Sequence, residues 1–171
     1  MNPLLPNLCA QIAFTMVGRH ESPLGSNTGP LIQEFFDADD YKPGRLDQGY
    51  PWCAAFVDRV VQLAMSKAPG PFTFCAPRTP SAFGLAEWSR NQDSSTSTKD
   101  YPKEVKVGDI IIFTWSHCGI AITDSNNRGE FETVEGNTNK AGSREGTHVI
   151  HKKGVSERNL SGVRNRIRFT V

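Results

Sequence analysis

The 171-residue chain carries 19 Lys and Arg against 18 Asp and Glu, a formal net charge of +1, and 37% of its residues are hydrophobic. That length reads as one domain, residues 1–171, large enough to bury a core without disulfide staples. The balanced charge leaves no basic stripe to follow a phosphate backbone, and no apolar run approaches the roughly 18 residues of a membrane span, so neither nucleic acid nor membrane is expected as a partner.

In chain order, "MNPLLPNLCAQIAFTMVGRHE" has no early Lys or Arg and no small-x-small cleavage site, so it reads as a helix over Pro6 to Val17 rather than a secretion signal. The expectation is synthesis in the cytoplasm, with action after release or non-classical export. A second helix fits "GPLIQEFFDADD", with Pro30 near N1 and Leu31, Phe35 and Phe36 on one side. A third runs from Trp52 to about Ser66 and stops at "APGP". A fourth fits "TPSAFGLAEWSR", capped by Thr79 or Ser81. "NQDSSTSTKDYP" is nearly free of apolar residues and reads as a surface loop. The period then becomes that of strands: "VGDIIIFTW" and "HCGIAIT" form a hairpin. "GEFETVEGN", "THVIHKK" and "VRNRIRFTV" supply up to three more strands, separated by "TNKAGSREG" and "GVSERNLSG". Helices followed by a strand meander predict an α+β domain with an antiparallel sheet.

The four cysteines, Cys9, Cys53, Cys75 and Cys118, show no C-x-x-C spacing, which argues against a zinc ribbon, and a cytoplasmic compartment would keep them reduced. Cys53 heads the third helix, on the side of Phe56, Val57, Val60 and Ala64, while Asp58, Arg59, Gln62 and Ser66 fall opposite. That position suits a small core residue. It equally suits a nucleophile, because free N–H groups and the helix dipole at an N-terminus stabilise a thiolate. Of the four histidines, His20 reads as a solvated helix end, and His148 and His151 project from opposite strand faces. His117 begins a central strand, sharing a face with Gly119 and Ala121, whose small size leaves room for a helix end or substrate. Cys118 faces away, into the core, so "HC" is not a ligand pair. Glu135 and Asn137, two apart on the next strand, share one face, and either can hold an imidazole tautomer.

"YPWCAAFV", "VGDIIIFTWSHCGIAIT" and "TVEGNTN" together resemble the CHAP domains (cysteine, histidine-dependent amidohydrolase/peptidases), relatives of the NlpC/P60 enzymes. The flanks "GPLIQEFF" and "SREGTHVIHKK" are similar to those of single-domain phage and bacterial members. The resemblance implies a papain-like fold, with N-terminal helices on a mostly antiparallel sheet. It implies Cys53 as nucleophile, His117 as general base and acid, Glu135 as the orienting acid and Asn137 as its polar assistant. The implied substrate is bacterial peptidoglycan, cut at the muramyl–L-alanine amide or within the peptides, through a thioester. The oxyanion would be met by the backbone N–H of Cys53 or Ala54 and by the side chain of Gln48 or Tyr50. No cofactor is expected. Some relatives bind calcium through aspartates before the cysteine, but "PGRLDQGYPWC" offers only Asp47, so no metal is expected either. Cys118 stands where Val is common, and Cys75 matches no family role. The implied biological roles are phage lysin released through a holin, wall-remodelling enzyme, or secreted antibacterial toxin with a cognate immunity protein. The competing reading is an inactive wall-binding or protein-binding module of the same fold.

Overall fold

A computed structural model describes residues 4–38, 49–92, 94–141, 145–153 and 158–170. Four helices come first: α1 (Leu4–Thr15), α2 (Pro30–Ala38), α3 (Cys53–Lys67) and α4 (Ala82–Arg90). Six strands follow: β1 (Thr96–Asp100), β2 (Ile110–Phe113), β3 (Cys118–Ala121), β4 (Thr133–Thr138), β5 (His148–Lys152) and β6 (Val163–Phe169). They form one antiparallel sheet in the order β1-β6-β2-β3-β4-β5, giving the expected α+β, papain-like arrangement of helices on a sheet. Among the described residues, no helix is long and apolar enough to cross a membrane.

The run "DIIIF" lacks alternation because both faces of the sheet are covered. Ile110, Ile112, Cys118, Ile120, Val134 and Ile167 pack with α1 and α3 in the larger core. Ile111, Phe113, Ala121 and Val163 face a smaller apolar cluster on the other side, with Val105, Phe131 and Leu160. Within α3, Phe56, Val57, Val60, Val61 and Ala64 are all fully buried, which makes it the central helix of the larger core.

Three expectations need correction. Asp58, assigned to the outer face of α3, is fully buried. Its carboxylate accepts the Thr79 N–H at 2.8 Å and so ties the segment entering α4 to α3. The polar stretch read as a surface loop contains β1, which pairs with β6 along the sheet edge. Polarity there hid a strand whose inward hydroxyls are satisfied: Ser89 of α4 exchanges hydrogen bonds of 2.7 to 2.9 Å with Thr96 and Thr98. The strands also do more than meander, since β6 returns between β1 and β2. For α4, the choice of cap resolves to Ser81, whose hydroxyl accepts the Gly84 N–H at 3.1 Å.

Candidate active site

Cys53 is the first residue of α3, and no side chain caps the helix there; Trp52 holds the N-cap position. The first helical bond runs from the Phe56 N–H to the Trp52 carbonyl at 3.0 Å. The N–H groups before it, those of Cys53 and Ala54 among them, therefore lie outside the helical ladder at the positive end of the dipole. α3 reaches the sheet closely because β4 carries a glycine where the two meet. A Cβ on Gly136 would come within 2.7 Å of Phe56 Cβ and 2.8 Å of the Trp52 ring. Cys53 is 4% exposed. It lines a cleft of about 280 Å³ together with Tyr50, Pro51, Ser116 and residues 80–82, and Asp58 anchors the last of these segments through Thr79.

His117 ends the β2–β3 turn, in which Ser116 adopts φ 60°, and its carbonyl accepts the Phe113 N–H at 2.8 Å. The imidazole is fully buried and lies nearly parallel to the Phe113 ring at 6.1 Å. Its Nε2 bonds Glu135 Oε2 at 2.9 Å. Nδ1 has no aligned hydrogen-bond partner, and the ring is electrostatically coupled to the Cys53 thiol. Such loose alignment is common before substrate binds. With Nε2 committed to a carboxylate, Nδ1 is the nitrogen left to exchange a proton with sulfur.

Glu135 is fully buried on β4. Thr133 Oγ1 donates to its Oε1 at 2.5 Å, and Arg158 forks onto both oxygens, Nε to Oε1 and Nη2 to Oε2, each at 2.5 Å. The room beside His117 expected for a helix end or substrate is filled by this side chain: a Cβ on Gly119 would sit 2.5 Å from Glu135 Cγ. Asn137 does not continue the alternation from Glu135. The β4–β5 register shifts between Glu135 and Thr138, and Asn137 takes φ 53°, in the left-handed region that asparagine tolerates. Strand periodicity could not reveal that bulge. Of the oxyanion candidates, Ala54 lies in the first turn of α3 and Tyr50 lines the cleft. Gln48, like Asp47 of the calcium argument, lies outside the described residues. Among the described residues, no three His, Cys, Asp or Glu side chains cluster as a metal site would require.

The model of the CHAP domain matches residues 45–137, more than half of the chain. The chain belongs to the CHAP domain family. CHAP domains are generally hydrolases that act on peptidoglycan as amidases or peptidases, so the family also supplies the substrate class. The match spans Cys53, His117, Glu135 and Asn137 and ends before Arg158. Neither the curated proteins nor the solved structures yield a match.

In this CHAP domain the electrostatics follow the contacts. Hydrogen bonding from Cys118 holds the Cys53 thiol well below its ordinary range; burial opposes this, and His117 reinforces it. Burial works against charging His117, but Cys53 and Glu135 prevail and raise the imidazole to about 9. Burial likewise disfavours ionised Glu135, yet the hydrogen bonds from Arg158 and His117 bring it down to about 2. The site can therefore hold a thiolate, an imidazolium and a carboxylate together near neutral pH. Cys118 belongs to the core, as alternation implies, but it is not remote from the chemistry. α3 packs on the same face, so the Cys118 thiol reaches the Cys53 sulfur; burial and that neighbour keep its own proton on. Sequence reasoning missed both Cys118 and Arg158. Cys118 was visible only as a departure from the usual Val, and Arg158 lay in a segment read as a strand separator.

Proposed function

We propose that this CHAP domain hydrolyses an amide bond of bacterial peptidoglycan, with Cys53 as nucleophile, His117 as general acid and base, and Glu135 as the group that orients His117. The observation that carries this reading is the connected row of Cys53 at an uncapped helix N-terminus, His117 and Glu135, opening on the cleft beside Tyr50. The Cys53 thiolate attacks the amide carbon, and the N–H groups of Cys53 and Ala54 meet the developing oxyanion. The imidazolium gives its Nδ1 proton to the leaving amine, which departs as the thioester forms. The now neutral ring takes a proton from water as that water attacks the thioester, which frees the acid and restores the ion pair. Glu135 stays ionised and keeps Nε2–H in place, so Nδ1 always faces the reaction. The bond cut is the muramyl–L-alanine amide or a peptide bond of the stem or cross-bridge.

The test is mass spectrometry of purified peptidoglycan treated with wild type and with Cys53→Ala. New amino termini on fragments from the wild-type digest identify the bond, and the variant should release none. A variant as active as wild type would refute the assignment.

A further inference from the structure

Arg158 is the charged side chain that the resemblance does not assign. It is 5% exposed, and its guanidinium lies 4.8 Å from the Phe113 ring centroid and 5.6 Å from that of Trp115. Those two rings stack at 4.7 Å and 9°, and Phe113 is in turn nearly parallel to His117. The backbone around Arg158 is pinned as firmly. The Arg158 carbonyl accepts the Phe131 N–H at 3.2 Å, the Leu160 N–H donates to Gly129 at 2.9 Å, and Asn159 bridges Glu130. A segment between β5 and β6 is thus held where its guanidinium can reach both oxygens of Glu135.

We infer that Arg158 is a positioning residue of the reaction: its fork fixes the Glu135 carboxylate in the orientation that holds His117, and its charge balances the buried row Glu135, His117 and Cys53. This rests on the Cys-His-Glu reading above. From Arg158 inward the charges run plus, minus, plus, minus, so the ionised row is neutral as a whole. Remove Arg158 and a buried site keeps one excess negative charge, which opposes ionisation of the thiol and strengthens the hold on the imidazolium proton. The titratable groups that meet there are Cys53 and Asp58 of α3, His117 and Cys118 at the head of β3, and Glu135 of β4. Arginine suits the place because a planar fork matches a carboxylate on two sides and stacks on aromatic rings; lysine supplies charge without either.

The experiment compares wild type, Arg158→Gln, Arg158→Lys and Cys53→Ala. Release of amino groups from purified peptidoglycan gives kcat and KM across pH, and iodoacetamide labelling of Cys53 gives a profile that needs no substrate. For Arg158→Gln, kcat should fall about ten- to a hundredfold with KM within about twofold, the signature of a misplaced catalytic group. Both limbs of its profile should move about one pH unit upward, in turnover and in labelling alike. Arg158→Lys should keep the wild-type limbs and lose kcat severalfold. A folded Arg158→Gln with wild-type limbs overturns the inference. Should that variant fail to fold, Arg158→Lys decides: reduced kcat at unchanged KM supports the inference, and wild-type kcat overturns it. If Cys53→Ala is inert while the Arg158 variants behave as wild type, the role of Arg158 fails alone; an active Cys53→Ala sinks the hydrolase reading itself.

Discussion

Replacing His117 by glutamine removes the cation beside Cys53 while leaving Cys118 able to donate to the sulfur. In the wild type the imidazole is raised from 6.5 to about 9, an imidazolium preference of about 3 to 4 kcal/mol at about 1.4 kcal/mol per unit. Part of that preference is mutual coupling with the thiolate, and coupling of that kind lowers the thiol by as much as it raises the ring. Without it, Cys53 keeps the Cys118 hydrogen bond but sits in a buried site where desolvation pushes its ionisation upward. Its titration should then move upward, toward that of an ordinary thiol. Rate at one pH is a poor readout, because a thiolate of higher pKa is intrinsically more nucleophilic and offsets its own scarcity. The slope is the clear readout. Wild-type Cys53 should be labelled by iodoacetamide at a rate that changes little with pH around neutrality, whereas His117→Gln should gain with pH over the same range, by at most about tenfold per unit. Exposed Cys75 is an internal reference thiol in the same molecule, and peptide mass spectrometry resolves the two sites. A Cys118→Ala variant keeps the imidazolium but loses the largest contact that lowers the thiol, so its profile should move upward as well. If wild-type Cys53 tracks Cys75, or if His117→Gln keeps a flat profile, the ion-pair argument is wrong.

Two further outcomes follow from packing and linkage. Gly119→Ala places a methyl 2.5 Å from Glu135 Cγ, with the Val134 carbonyl at 2.8 Å, so backbone or carboxylate must shift; peptidoglycan turnover should fall at least tenfold in a protein that still unfolds cooperatively by circular dichroism. Glu135 titrates at about 2 in the folded state and about 4.3 when unfolded, so its ionisation contributes about 3 kcal/mol of stability that is fully present above about pH 4.5 and lost as pH falls toward 2. Urea unfolding at stepped pH should show the gap between wild type and Glu135→Gln narrowing by about that amount over this window, and a gap constant with pH would contradict the linkage.

Much of the site was legible because its parts are local. Pro51 ahead of an apolar stripe marks a helix start, and a start of that kind is where a thiol is activated. His117 at the mouth of a hairpin and Glu135 on the next strand follow from alternation, which needs only the period of a strand. What escaped shares one cause, contact between distant segments. Asp58 looked solvent-facing because its partner, the Thr79 N–H, is 21 residues away. β1 looked like a loop because its hydroxyls are satisfied by α4. Glu135 and Asn137 looked like neighbours on one strand face because the bulge between them shifts register without changing composition.

The sequence by itself determined the four helices and five of the six strands, the α+β class, the order of Cys53, His117 and Glu135 along the chain, and the family, because local periodicity and short motifs encode all of these. Only the tertiary structure decided that the Cys118 thiol meets Cys53 and that Arg158, 23 residues beyond Glu135, completes the buried row of charges. Alternation says which face a side chain takes but not what packs on that face, and a buried ion's partner is chosen by proximity in space, which spacing along a chain does not record.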